Sequence, residues 1–252
     1  MNENVKKRLE LLDTVRGITV ISMILYHALW DICYLGLAPQ SLISSNAAAV
    51  WQLTICCSFI LLSGYCFPMG SRKIRHGIVI LGWGVAITVV TCTFVPQTSD
   101  IFGVLWLLGI CALIACLLHH CFEELTPPLA AVWAIVCLVG FSGFYRVGTG
   151  YLDLVHPVKL PRGLYHGLFM SLIGFRDPEF FSVDYFPLLP WAFLYFTGYF
   201  LNRMTVGNEK LKKALTPGLP FFSFIGRHSL VIYLVHQPVV YGLTNLIAYM
   251  VK

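Results

Sequence analysis

GITVISMILYHALWDICYLGL, residues 17–37, is long and apolar enough to cross a bilayer as a helix, yet it carries a histidine at 27 and an aspartate at 31. Arg16 stands immediately before it and Asp13 three residues earlier. A span needs roughly 17–25 predominantly apolar residues. Ionisable groups inside one are costly in lipid, so they face protein or a water-filled cavity and mark function. On a helix, the step from Arg16 to His27 turns through about 1100°, three full turns and about 20° more, which puts both side chains on one face. Asp31 follows His27 by four and joins that face, and Asp13 is placed to pair with Arg16. The first span thus carries a polar stripe of Asp13, Arg16, His27 and Asp31. The rise from Arg16 to His27 is about 16 Å, roughly half the hydrocarbon thickness. With Arg16 at the membrane boundary, His27 lies near the midplane.

The rest of the 252-residue chain repeats the apolar pattern. It is 58% apolar and 12% charged, against about 25% charged in ordinary soluble domains, and its mean hydropathy is +0.76. Further uncharged runs cover residues 47–70, 77–99, 101–118, 125–145, 185–202 and, with two histidines, 228–251. The expected fold is an all-α polytopic membrane protein of seven transmembrane helices in a single domain, 1–252. The apolar stretch 163–175 is too short to span and is expected to be re-entrant or interfacial. Ser71–His76 and His119–Pro128 are expected as polar connections, as is the basic segment after the sixth span.

Lysine and arginine bias sets orientation. One set of loops holds Lys6, Lys7, Arg8, Arg72, Lys73, Arg75, Arg203, Lys210, Lys212 and Lys213; the other holds Arg146, Lys159, Arg162, Arg176 and Lys252. This predicts a cytoplasmic N-terminus, with the first helix retained rather than cleaved as a signal. The net charge of +5 reflects that topology. Basic residues scattered among short loops exclude nucleic-acid binding. The nine cysteines lie mostly within spans without a CxxC pair, which points to small buried residues rather than a disulfide framework or zinc site.

The chemistry follows from residue types and depth. A mid-membrane histidine suits general-base work. Asp31 can orient it, and Arg16, always charged, suits a phosphate or a developing negative charge. GRHSLVIYLVHQP, residues 226–238, places Ser229, Tyr233 and His236 on one helical face, with Arg227 and His228 at its start and Pro238 just past His236. Ser229 and Tyr233 also suit plain helix packing. His76, His119 and His120 read as solvated loop histidines. The segment 146–184 is long for a connection, which usually signals function, and its aromatic and proline content predicts order. Asp184 closes it, either as an acid at the start of the next helix or as a carboxylate for an acceptor. A proton-coupled small-molecule transporter would use the same buried His, Asp and Arg path; the chain lacks an obvious inverted repeat.

LLDTVRGITVISMILYH (11–27), LLSGYCF (61–67), FGVLWLLGI (102–110), DYFPLLPW (184–191) and GRHSLVIYLVHQP resemble, in order, the bacterial membrane proteins related to heparan-alpha-glucosaminide N-acetyltransferase. The R-x10-H spacing of Arg16 and His27 is similar to the signature of the wider transmembrane acyltransferase superfamily. The resemblance implies transfer of an acyl group, acetyl first of all, from cytoplasmic acyl-CoA to an amine or hydroxyl of a sugar-like or glycan-like acceptor outside a bacterial plasma membrane, with no metal required. It implies His27 and Arg16 as catalytic residues, to which Asp31, one turn beyond His27, is added from its position, and it places Arg16, Arg72, Lys73, Arg75 and Arg227 toward acetyl-CoA. It further implies His228, Ser229 and His236 in the same cavity; with Tyr233, which shares that face of the last span, and Asp184, read from its place before the sixth span, they are expected toward the acceptor. Direct transfer and an acyl-histidine intermediate are both open, as is assembly into a homo-oligomer. Trp106 departs from the pattern, standing where relatives tend to carry His or Gln.

Overall fold

Helices occupy every stretch that reads as a span. The computed structural model describes residues 9–153 and 155–251. Lys6, Lys7, Arg8 and Lys252, counted above toward orientation, lie outside the described residues. In chain order the elements are α1 (Glu10–Tyr34), α2 (Asn46–Cys66), α3 (Lys73–Phe94), α4 (Val104–Leu117), α5 (His119–Glu123), α6 (Pro127–Phe144), β1 (Tyr151–Asp153) and β2 (Pro157–Lys159). They continue with α7 (Leu168–Ile173), α8 (Leu188–Thr205), α9 (Glu209–Leu215), α10 (Pro220–Arg227) and α11 (Ser229–Val251). The chain is an all-α polytopic membrane protein: α1, α2, α3, α6 and α11 have the length and apolarity to cross a membrane. α4 is shorter, at 14 residues. α8, at 18, contains a non-helical Leu189 (φ −95°, ψ 127°) just before Pro190, as expected of a residue that proline pushes out of the α region.

Three stretches expected as connections are partly helical. α3 starts at Lys73 rather than after His76, α5 forms within 119–128, and α9 and α10 occupy the basic segment after α8. Lys, Arg, Glu and Leu are good helix formers whatever their charge, so a basic loop and a basic first turn look alike by composition. Asn208 caps α9 by accepting from the Leu211 N–H at 3.1 Å. Pro127 and Pro220 open α6 and α10, where a missing N–H costs nothing.

The described residues fall into two compact units, one within Met1–Phe59 and Gly207–Lys252, the other Ile60–Val206. In the first, α10 lies against the N-terminal half of α1, and backbone contact makes that possible. A Cβ at Gly17 would overlap the Phe222 carbonyl oxygen, and one at Gly226 the Asp13 carbonyl oxygen. Lipid offers no hydrophobic drive between helices, so small residues that admit close van der Waals contact take its place. The Thr14 and Ser223 hydroxyls meet at 2.8 Å. Thr14 Oγ1 accepts from the Leu219 N–H at 2.9 Å, and Ser223 Oγ donates to the Glu10 carbonyl at 3.2 Å. Further along, Val20, Met23 and Tyr26 of α1 form a core with Ala48 and Ile55 of α2, and Trp51 Nε1 donates to Ser22 Oγ at 2.7 Å.

In the second unit, α3 packs along α4 and α8 along α6, and α8 meets the last turns of α2. Gly198 and Gly64 sit against the Leu61 and Tyr195 carbonyl oxygens. The described residues of the long connection form regular elements. β1 and β2 pair antiparallel with Tyr151 opposite Lys159, and α7 falls inside the short apolar stretch 163–175. Arg146 bonds Asp153 at 3.2 Å and covers the Tyr151 ring. Tyr165 donates to the Val147 carbonyl at 2.6 Å. The Asp177 carboxylate accepts from the Gly167 and Glu179 N–H groups, and those bonds hold its pKa below the usual carboxylate value.

Candidate active site

α1 and α11 bring their polar residues together. The His27 and His236 rings lie 4.9 Å apart, centre to centre. His236 is nearly buried at 8% exposure, and Asp31 is fully buried at 0%. Gln237 Nε2, next along α11, reaches Asp31 Oδ1 at 3.4 Å. The Tyr233 ring packs on His236 at 5.4 Å and on Phe59 at 6.3 Å. Four residues singled out in the sequence, His27, Asp31, Tyr233 and His236, therefore belong to one seam, with Asp31 and His236 buried and His27 and Tyr233 half-buried.

Its hydrogen bonding fixes one proton. His236 Nδ1 lies 2.5 Å from the Tyr233 carbonyl oxygen. A carbonyl can only accept, so Nδ1 carries hydrogen and the neutral ring keeps its lone pair on Nε2. That Nε2 is buried with no hydrogen-bond partner among the described residues, and so is Asp31 Oδ2. Buried polar atoms are nearly always paired. Two unpaired acceptors on facing helices suit a donor from a substrate, an amine or hydroxyl. The hydrogen bond to the Asp31 side chain comes from Gln237 rather than from His27. α11 also runs on through Pro238, so the proline does not end the helix beyond His236.

The remaining sequence candidates are spread along the elements. Arg16 pairs with Asp13 at 3.3 Å, about three turns from His27 on the same face. At the junction of α10 and α11, Arg227 Nε donates to the Ser223 carbonyl at 3.2 Å. His228 Nδ1 donates to the Phe224 carbonyl at 2.9 Å, and Ser229 opens α11.

In the second unit, Arg72, Lys73 and Arg75 line a cavity of about 320 Å³ with Ser71, Ile74, Cys116 and His119. His119 is not a solvated loop histidine as expected. Its Nε2 lies 2.6 Å from Lys73 Nζ and its Nδ1 lies 2.9 Å from the Tyr199 hydroxyl.

Asp184 does not cap α8, whose N-cap is Pro187. It neighbours Asp100, a residue the sequence did not single out. Burial, and then the Asp184 charge, hold the Asp100 carboxyl well above the usual carboxylate range. Trp106, the departure noted above, supplies a polar contact of its own, with Nε1 donating to Thr88 Oγ1 at 2.9 Å. Among the described residues no group of three His, Cys, Asp or Glu is arranged to hold a metal ion.

The family model for the catalytic region of heparan-alpha-glucosaminide N-acetyltransferase matches residues 8–238. The chain belongs to this family. That span runs from two residues before α1 through Gln237 and Pro238 of α11, so it contains the whole seam. No curated protein and no solved structure matches the chain. The family is one of transmembrane acetyltransferases.

Proposed function

We propose that the chain acts as one acyltransferase domain in a bacterial plasma membrane, with its N-terminus cytoplasmic. It moves an acetyl group from cytoplasmic acetyl-CoA to an amine or hydroxyl of a sugar-like acceptor on the outer side. One observation carries the reading. Two imidazoles 4.9 Å apart share a seam with a carboxyl group, and acceptor atoms in that seam lack partners.

In the proposed reaction the acceptor's neutral amine attacks the thioester carbonyl. The C–N bond forms, the C–S bond breaks, and the thiolate takes up a proton as free CoA. His27 removes the amine proton, as general bases do at a cost-saving of typically 10²–10⁴-fold in rate. His236, with its Nε2 lone pair exposed to the seam, holds the acceptor's donor group or relays the proton from His27. Asp31, steadied by Gln237, orients the acceptor amine. Arg16 stabilises the donor or the oxyanion. Arg72, Lys73, Arg75 and Arg227 serve the donor's phosphates. Tyr233, Ser229, His228 and Asp184 serve acceptor selection.

The test uses purified full-length protein with acetyl-CoA and a glucosamine-type acceptor. Free thiol is released by the wild type and lost in His27→Ala, with unchanged thermal unfolding. Undiminished release from His27→Ala removes His27 from the chemistry. Omitting the acceptor separates the two routes: one equivalent of thiol marks an acyl-histidine intermediate, and none marks direct transfer.

A further inference from the structure

We infer that His119 is a positioning residue for the basic cavity at the start of α3: neutral, it holds the Lys73 ammonium, and protonated it releases that ammonium to a bound anion. The inference rests on reading this cavity as an anion site for the donor's phosphates.

The geometry defines both states. An ammonium can only donate, so His119 Nε2, 2.6 Å from Lys73 Nζ, must be the lone-pair nitrogen of a neutral ring. Nδ1 then carries the hydrogen and donates to the Tyr199 hydroxyl at 2.9 Å, and Tyr199 is fully buried at 0% exposure. The ring is fixed at both nitrogens. It is also fixed through its helix. Phe122 of α5 packs on Phe196, Tyr199 and Phe200 of α8, and Arg203 Nη2 donates to the Glu123 carbonyl.

A proton on Nε2 removes the acceptor that Lys73 uses and sets two cations against each other. Glu123 Oε2 stands ready 3.6 Å from the same nitrogen. Protonation therefore exchanges Lys73 for Glu123 as the partner of Nε2. Lys73 is freed beside Arg72 and Arg75, and the cavity gains a positive charge.

The charged and titratable groups around His119 come from every packed element: Lys73 of α3, Cys116 of α4, His120 and Glu123 of α5, and Tyr199 and Arg203 of α8. Burial and then Lys73 depress the His119 pKa; Glu123 opposes them, and His120 and Arg203 add to them. An anion drawn to Lys73 relieves the second of these effects. Linkage then requires that anion binding favour the protonated ring and that protonation favour anion binding.

Sulfate is a suitable probe because its charge is constant across the range. It is titrated into full-length protein in detergent at constant ionic strength, with the thermal unfolding midpoint as readout. Wild-type affinity for sulfate is expected to tighten about five-fold between about pH 7.5 and pH 5.5, within the ten-fold per pH unit that one linked proton allows. His119→Gln keeps an acceptor for Lys73 and a donor for Tyr199 but cannot titrate. It should match the wild type near pH 7.5 and show no tightening. Lys73→Met should tighten less than the wild type, because no ammonium is left to release and only the imidazolium's own charge is added. Tightening that persists in His119→Gln overturns the inference. The cavity reading is judged separately, at neutral pH. Sulfate binding that is untouched by Arg75→Gln places the anion elsewhere and removes the cavity as the site. Sulfate that CoA fails to displace removes the donor reading, while the pH dependence still decides the role of His119.

Discussion

Asp31 and Asp100 are both enclosed carboxyl groups with one oxygen unpartnered among the described residues, and their neighbours differ. Asp31, on α1, has the Gln237 amide on its other oxygen, and the imidazole pair lies in the same seam. Asp100, between α3 and α4, faces a second acid, Asp184. Its own backbone is tied down on both sides. Thr88 Oγ1 donates to its carbonyl at 2.7 Å, and its N–H donates to Thr91 Oγ1 at 3.0 Å. The next turn is equally constrained. Phe102 adopts a left-handed φ of 59°, a conformation that costs a bulky residue of order 1–3 kcal/mol. It is held there by the packing of its ring on Trp106 and Phe180 and by the Phe186 N–H on its carbonyl. An isolated buried charge is expensive. Asp100, its pKa raised by burial and then by Asp184, serves a turn. Asp31 is supplied with an amide and set among bases. The residue type alone does not separate the two; the neighbours do.

Replacing each by its isosteric amide breaks the comparison most directly. Asp31→Asn should lower acetyl transfer by about 10²-fold, the lower end of what a positioned acid–base group contributes, with little change in unfolding. Asp100→Asn should leave transfer within about three-fold, because an amide mimics a protonated carboxyl. Thiol release from the two purified variants measures both. Equal losses would put Asp100 in the chemistry and abolish the distinction.

The polar stripe on α1 was legible because a helix has one period. Arg16, His27 and Asp31 share a face whatever α1 packs against, and Ser229, Tyr233 and His236 share one on α11 for the same reason. That the two faces meet is shown only by the structure, where the His27 and His236 rings lie 4.9 Å apart. Gln237 escaped notice because a neutral amide inside a span carries no charge to flag it, and only its contact with Asp31 gives it meaning. His119 escaped because His-His before a Pro-Pro stop reads as a polar loop. The five-residue helix that turns it inward is built by Phe122 packing on α8, a contact some 75–80 residues away in sequence. Asp100 read as punctuation between two apolar runs, and its acid neighbour lies 84 positions later. Periodicity reports faces, not pairings across such distances.

Gln237→Leu sharpens the comparison from the other side. It strips Asp31 of its amide donor and leaves the carboxyl fully buried, which makes Asp31 resemble a lone acid. The cost should be about 1–3 kcal/mol, as for a buried group whose partner is removed, read as a lower unfolding midpoint. Gln237→Glu should not restore it, since a second acid offers Asp31 a donor only when protonated. A midpoint unchanged in Gln237→Leu would mean that the 3.4 Å contact contributes nothing.

The smallest effect concerns Asp100 and pH. Its folded pKa stands above the value of 3.8 expected without the fold. From about pH 4 upward the unfolded chain has released this proton while the folded chain retains it, so folded protein binds more protons. Stability then falls as pH rises, and continues to fall until the folded group also ionises. Asp100→Asn has no proton to lose at this position and should remove that part of the slope. Asp184→Asn should remove less of it, because burial, the larger cause, would persist. Unfolding midpoints of the three proteins in detergent between about pH 5 and pH 8.5 would show the wild type losing a few degrees relative to Asp100→Asn. Parallel curves for the wild type and Asp100→Asn would mean that Asp100 is ionised in the fold, and the two carboxyl groups would then differ in location alone.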